Sequence, residues 1–565
     1  MKETVLKHVL KNTIDFGKPN AKVILGLVLK EKEELKKKVP TVMEEITYVI
    51  KEVEKLTLEQ IKEKLKKIAP ELLKEKKEEK EDSLLKPLPK AVKGKFVVRI
   101  APSPSGPLHI GHAYGVSINY LYAKTYGGKL LLRIEDTNPE NIYPAAYQLI
   151  EEDVKWLTKD DLAETVIQSA RLGIYYDHAE TLVRSGKAYV CICNPDEWRL
   201  LKSKSTACRC RDLSLKEQQT RYAKMFNEYA EGEAVLRLKT DLKHKNPAMR
   251  DFSIMRINEH IHPKTGKEQR LWPLMIFSVA IDDHELGITH VLNGKDHADN
   301  AVKQQLIMKY LGWKPPEYKH WGRINFIGFD LSTTKTRLAI EHKEYTGWDD
   351  MRIPFLQSLK KRGYQPEAFW KYAEEIGLSL TDKKVSIEEF WKNINSFNRE
   401  IIEPKADRYF FIDEPVGIKI IGAPKKKVEI ALHPNFPKRG NRILQANAEV
   451  YLADDDVQKL TEGKIHRLMD YCNFQMKKNK YEFVSEDYED YKNAKNKGII
   501  MHWIPVQKGL PRINVLSADN IIITGYGEEA MNCLKEGQIV QLERRYFSRV
   551  NKIDKNEFTL LYLHK

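Results

Sequence analysis

Cysteine is scarce in this chain: six in 565 residues, four of them crowded between Cys191 and Cys210. No distributed disulfide framework is being built, and a reducing, cytoplasmic setting is expected. Long apolar runs are also missing. The best candidate, Val23 to Leu29, falls far short of the ~20 residues a membrane helix needs, so no membrane association is expected. Met1 to Lys18 interleaves charge with Val5, Leu6, Val9 and Leu10, which predicts an amphipathic helix and lacks the apolar stretch of a secretory leader. Acidic residues are outnumbered, 80 against 95 Lys and Arg, leaving a formal charge of +15. Such an excess suits a polyanionic partner, nucleic acid first, although a Lys-rich surface of the kind found in heat-adapted proteins has the same balance.

The length suits three or four domains. Val42, Ile46, Val49 and Val53 fall on one helix face and predict a small helical module up to about residue 73. Lys74 to Lys95 is dense in mixed charge and broken by Pro87 and Pro89, as a linker would be. From Phe96 the run FVVRI, a Pro/Ser/Gly loop, an apolar stretch from about Leu108 to Tyr126 and KLLLRIED predict a βαβ unit. Its strands are apolar on both faces, as in a doubly wound parallel sheet. Helical periodicity returns from Thr346 to about Lys405, with Trp348, Phe355, Leu356, Leu359, Phe369, Trp370 and Phe390 supplying bulk. Beyond Arg408, short β-branched and aromatic runs separated by turn residues predict one or two antiparallel barrels. The fold class expected is therefore multidomain, α/β plus all-β.

Two motifs carry chemistry. Pro102, Ser103, Pro104, Ser105, Gly106, Pro107 and Leu108 form a loop that leads into His109, Ile110, Gly111 and His112 at a predicted helix start. Free backbone N–H groups and the helix dipole suit a triphosphate there, the glycines permit close approach, and both histidines can donate to phosphate oxygens. Cys191, Cys193, Cys208 and Cys210 form two C-x-C knuckles fourteen residues apart. Four thiolates can close a tetrahedral structural Zn²⁺ site with no open position; free thiols are the alternative. Cys472 and Cys533 read as ordinary core cysteines.

RIAPSPSGPLHIGH followed by LLRIEDTNPE resembles the signature of class I glutamyl- and glutaminyl-tRNA synthetases, and the whole chain most resembles their archaeal glutamyl members. The resemblance implies that the loop and HIGH histidines bind ATP with Mg²⁺, and that Arg99 and Glu135 contact the amino acid, Glu135 through its ammonium group. A structural ion pair at the strand ends is the alternative for those two. Asp330 to Arg337, DLSTTKTR, resembles the family's lysine loop: Lys335 is its key residue, and Ser332 stands where the first lysine usually does. Such a lysine neutralises charge as the carboxylate attacks the α-phosphorus and pyrophosphate leaves.

By the same resemblance, residues 1–90 are a helical module and linker, and 91–187 and 281–345 are the halves of a Rossmann-like catalytic domain. Residues 188–280 form an insert with the zinc knuckle that approaches the tRNA acceptor end, 346–405 a helical connector, and 406–565 anticodon-binding barrels. Trp348, Asp349, Asp350 and Arg352 are expected to fix domain orientation. LHPNFPKRGNR, IIMHWIPV and VQLERRYFSRV resemble barrel segments that read RNA bases with basic and aromatic groups.

Two pocket positions depart from the family pattern. Met275 stands where relatives often carry a substrate-contacting tyrosine, and Asn293 where glutamyl enzymes present an arginine to the γ-carboxylate. Asn293 can serve an amide equally, so glutamine or another amino acid stays open beside glutamate, with Lys295 or Arg99 as a compensating cation. The expected protein is a monomeric ligase that charges tRNA with glutamate. Its rivals are a catalytically silent tRNA-binding paralogue, against which the retained HIGH motif, Glu135 and Lys335 argue, and a tRNA-modifying glutamyl transferase, against which the long C-terminal half argues.

Overall fold

The computed structural model describes residues 2–16, 19–69, 85–328 and 331–565. Most of the linker expected at 74–95 lies outside them. The chain divides into two compact units, Met1–Ser83 and Leu84–Lys565.

In the first unit, four helices, Lys2–Phe16, Ala21–Glu31, Val39–Val53 and Leu58–Ile68, surround one apolar core. The spacing of Val42, Ile46, Val49 and Val53 buries all four. Thr57 starts the last helix with a capping box: its Oγ1 accepts from the Gln60 amide at 3.4 Å, and Gln60 Oε1 accepts from the Thr57 amide at 3.0 Å.

The second unit opens with parallel strands Val97–Ile100, Lys129–Ile134 and Glu164–Ile167, paired in that order. On the other side of Val97, Thr289 bonds through its backbone N–H to the Val97 carbonyl at 3.0 Å and through Oγ1 to the Val97 amide at 2.9 Å. That places strand His290–Gly294, with its parallel partner Glu317–Trp321, beside the first strand. The spatial order therefore reverses at Val97–Ile100. In such sheets ligands bind outside the carboxyl ends of the strands flanking the reversal.

Between the two halves lies an antiparallel sheet of Ala188–Cys191, Val235–Leu238, Ser253–Ile257 and Leu271–Pro273 over its own core. Helices Leu356–Arg362, Pro366–Ile376 and Ile387–Ile402 then pack against the first half, burying Phe355, Leu356, Leu359, Phe369 and Phe390 as their periodicity predicts.

Two seven-stranded sheets follow. In one, the end strands are Asp407–Tyr409 and Phe411–Asp413; in the other they are Lys497–Met501 and Ile504–Pro505. Each pair of ends is one chain segment that switches edges, so each sheet curls towards closure. The expected barrels are there, but each also contains two parallel pairings, such as Asp407–Tyr409 with Ile539–Leu542.

Two expectations need correction. Cys472 is buried, but Cys533 is exposed, because Met531 takes the inward position on its short turn. The aromatics expected to stack RNA bases are mostly core: Trp503 and Phe547 are fully buried, and Arg442 is locked between Glu528 at 2.8 Å and Glu543 at 3.0 Å. Phe436, 37% exposed, is the aromatic of those segments open to solvent. No helix among the described residues is long and apolar enough to cross a membrane.

Candidate active site

A cavity of about 590 Å³ opens at the predicted crevice. Arg99 and Ile100 from one strand end, and Leu292, Asn293 and Gly294 from the other, form part of its wall. The Pro102–Leu108 loop, Gly111, His112, Glu135 and Met275 complete much of the rest. Of the residues expected to bind ATP, Pro104, His109 and Ile110 sit behind that wall, with Pro104 and Ile110 buried.

The loop is held by bonds that the sequence did not announce. The Leu108 amide donates to Asp153 Oδ2 at 2.8 Å, and the Ile110 amide to the Pro354 carbonyl at 3.1 Å. The Gly111 amide donates to His109 Nδ1 at 3.1 Å, and the His109 amide to His112 Nδ1 at 3.3 Å. The expectation of free N–H groups at this helix start is therefore corrected: both histidines act as caps. Their rings stack with centroids 3.9 Å apart, and crowding by the surrounding protein lowers both below the usual histidine pKa range, although His112 keeps an edge open to solvent; for His109 the neighbouring His112 adds to the effect. Each neutral ring, having accepted at Nδ1, carries its proton on Nε2. His112 faces the cavity and can donate from there, while His109 buttresses it.

Gly106 is packed against the lysine-loop segment. A Cβ at this position would lie 2.2 Å from Thr333 Cγ2, so only glycine fits while Thr333 stays in place. Thr333 opens the helix Thr333–Glu341, capped by Ser332, whose side chain accepts from the Lys335 amide at 3.4 Å. Asp330 lies outside the described residues. Lys335 is thus helical, and it lines a neighbouring hollow of about 410 Å³ with Tyr345, Arg352 and Trp391. The structure brings Thr333, and not Lys335, to the main cavity.

Arg99 and Glu135 share the cavity without pairing directly. Arg99 grips Asp283 with two bonds of 3.1 Å. Glu135 accepts from Arg133 Nη2 at 3.0 Å, and Arg133 Nη1 also reaches Asp283 at 2.6 Å. Arg133 is fully buried. Burial raises the pKa of Glu135 against the pull of Arg133 and Arg99; at Asp283 burial pushes the same way, but Arg99 and Arg133 outweigh it and hold the carboxylate low. Behind them Asp282 takes bonds from Arg171, Gln168 and Tyr175 at 2.7 to 2.9 Å. Sequence reasoning missed this network. Its available signal was polar residues inside apolar runs, LLLRI and SVAIDDHE.

Asp350, expected to orient domains, organises its own turn by accepting from Thr346 and from the Arg352 guanidinium at 2.8 to 2.9 Å.

The four cysteines converge. Their sulfurs lie within 4.8 Å of one another and all are buried. Cys191 and Cys208 sulfurs are 3.9 Å apart, and Cys193 and Cys210 are 3.7 Å apart. A tetrahedral ion with metal–sulfur bonds of ~2.3 Å requires sulfurs ~3.8 Å apart; these two pairs already have that spacing, and a contraction of the set from its 4.8 Å limit would close a zinc site. Arg221 Nη1, 3.4 Å from Cys210 sulfur, offsets the excess negative charge of a tetrathiolate.

Residues 95–404 match the family described as class I tRNA synthetases (E and Q), catalytic domain, and residues 406–493 match its anticodon-binding domain. Proteins named glutamate–tRNA ligase from Methanococcus maripaludis and Methanocaldococcus jannaschii are each 42% identical to the chain over the full length of both proteins. The same holds for one from Pyrococcus furiosus, also 42% identical over the whole of both chains. A switch-point cavity behind a HIGH loop, a buried arginine–carboxylate network and these full-length matches converge on one conclusion: the chain belongs to the class I glutamyl- and glutaminyl-tRNA synthetase family.

Proposed function

We propose that the protein activates glutamate with ATP and transfers it to the 3′ end of tRNA. The observation that carries this reading is a single cavity in which Arg99, Glu135 and Asn293 face the Ser103–Leu108 loop and His112.

Glu135, hydrogen-bonded by Arg133, receives the substrate ammonium. That fixes the α-carboxylate towards the nucleotide, and positioning of this kind is a large part of the rate. Ser103, Ser105 and the His112 Nε2–H are the side-chain donors for phosphate, with the dipole of helix Ile110–Thr125 behind them. The carboxylate oxygen attacks the α-phosphorus and the bond to pyrophosphate breaks; a terminal ribose hydroxyl of tRNA then attacks the adenylate's carbonyl, the anhydride bond to phosphate breaks, AMP leaves and the hydroxyl proton passes to solvent. Magnesium would screen the phosphates, and zinc on Cys191, Cys193, Cys208 and Cys210 would hold the insert in shape with no part in the reaction.

Lys335 is proposed to neutralise the leaving pyrophosphate. It lines the neighbouring hollow, so that role requires its ammonium to swing towards the main cavity, which Thr333 of the same helix already lines. Lys335→Ala should remove most ATP-dependent activation while leaving tRNA affinity unchanged; activation at the parent rate would exclude Lys335 from the chemistry. The silent-paralogue reading has the altered positions Met275 and Asn293 in its favour, but Glu135 and its ion network are intact.

A further inference from the structure

The missing arginine at position 293 leaves open how a side-chain carboxylate is read in this cavity. Both candidate compensating cations are already engaged by carboxylates, although Arg99 stays on the cavity wall. Lys295 pairs with Asp382 at 2.8 Å, and Arg99 is held by Asp283 through two bonds.

Asn293 is placed differently. In the parallel register between strands His290–Gly294 and Glu317–Trp321 it sits opposite His320. His320 Nδ1 is 2.7 Å from Asn293 Oδ1, so the ring donates and the amide carbonyl accepts. Burial lowers the His320 pKa, so the ring is neutral and its one proton is committed to this bond. The Asn293 carbonyl is thereby occupied, while its Nδ2 has no partner among the described residues and the side chain lines the cavity. Two residues back on the same strand, the Tyr318 hydroxyl lies 3.5 Å from Gln304 Oε1, a second amide of the cavity wall whose carbonyl end is turned to the strand. Asn119, also on the wall, donates both its contacts to the carbonyls of Gly115 and Leu292, and its own Oδ1 is sealed from solvent.

We infer that Asn293 and His320 act as a paired reader of the substrate side chain: His320 fixes the amide so that Asn293 offers a donor, and no acceptor, to the cavity. This rests on the cavity being the amino-acid pocket. A γ-carboxylate, which only accepts, is satisfied by that donor. The amide of glutamine can satisfy it with its carbonyl, but its own N–H groups then meet no acceptor at position 293 and are left unpaired. A neutral pair thus selects an anion by denying acceptors, where a guanidinium would select it by charge. Asn293 touches the substrate, and His320 is a positioning residue.

The test is aminoacylation of tRNA by the full chain, measuring kcat and KM for glutamate and glutamine separately. In His320→Ala the amide is free to turn. The KM for glutamate should rise about tenfold with kcat within about twofold, and the preference for glutamate over glutamine should fall about tenfold. His320→Gln, whose amide N–H can donate in the same direction, should restore most of the preference. Asn293→Asp, which is isosteric and accepts the same His320 bond, should replace donor by acceptor and move preference from glutamate towards glutamine. Parent-like selectivity in both His320→Ala and Asn293→Asp would overturn the paired reader. Parent protein that charges neither amino acid would instead overturn the proposed function itself.

Discussion

Arg133 holds together the carboxylates around Glu135, and its removal should be costly in two separate ways. It is fully buried and lies between three carboxylates: 2.6 Å from Asp283, 3.0 Å from Glu135 and 3.9 Å from Asp282. In the parent, Arg99, Arg133 and Arg171 balance these three acids; in Arg133→Met two cations face three anions, of which Asp282 and Asp283 have no solvent exposure. Breaking a buried pair by deleting one partner costs about 3–5 kcal/mol, because the remaining charge stays desolvated. Chemical denaturation of the full chain should show a loss of that size. Glu135, already raised by burial and relieved chiefly by Arg133, should take up a proton more readily, so the KM for glutamate should rise and rise further as pH falls. The charge-balanced double variant Arg133→Met with Asp283→Asn should recover part of the stability, the two sites being coupled through one hydrogen bond. A loss below about 1 kcal/mol together with an unchanged KM would refute the network as the support of Glu135.

Three further outcomes follow from particular contacts. Gly106→Ala places a methyl against the Thr333 side chain, which must turn or be displaced; ATP affinity should fall several-fold while tRNA binding holds, and unaltered ATP affinity would contradict the packing. Purified protein should carry about one zinc per chain by elemental analysis, and Cys208→Ser should lose it and increase protease cleavage within 188–257; a metal-free parent of full activity would remove zinc from the account. His502 stacks on Phe410, has a buried Nε2 without a partner and is held down to about 3 by burial and by the nearby arginines. The unfolded chain therefore binds the extra proton below its own pKa of ~6.5, and stability present above that value is lost as pH falls towards 3. His502→Phe should gain on the parent by about 2 kcal/mol more at pH 5 than at pH 7, and an equal difference at both would show that His502 is not buried neutral.

The catalytic half was legible because its signals are contiguous. A strand, a Pro/Ser/Gly loop and a helix follow one another from Val97 to Thr125, and the ligand spacing of the cysteines lies within twenty positions. What escaped reading depends on contacts between distant segments. Asp283 meets Arg99 across 184 residues, and Asn293 meets His320 only because two parallel strands share a register. The free N–H groups expected at the HIGH helix were taken by Asp153 and Pro354, which no local pattern points to. The segment IIMHWIPV resembles a base-reading stretch, yet its Trp503 is buried in a core shared with Met501 and Ile504. Adjacency in sequence predicts composition of a patch, not which face of a strand turns outward.

The most direct test of the central claim is ATP-dependent charging of total tRNA by the purified full chain, with glutamate, glutamine and the other amino acids offered separately as labelled substrates. Glutamate should be attached, with glutamine far behind. Attachment of a different amino acid, or of none, would contradict the account.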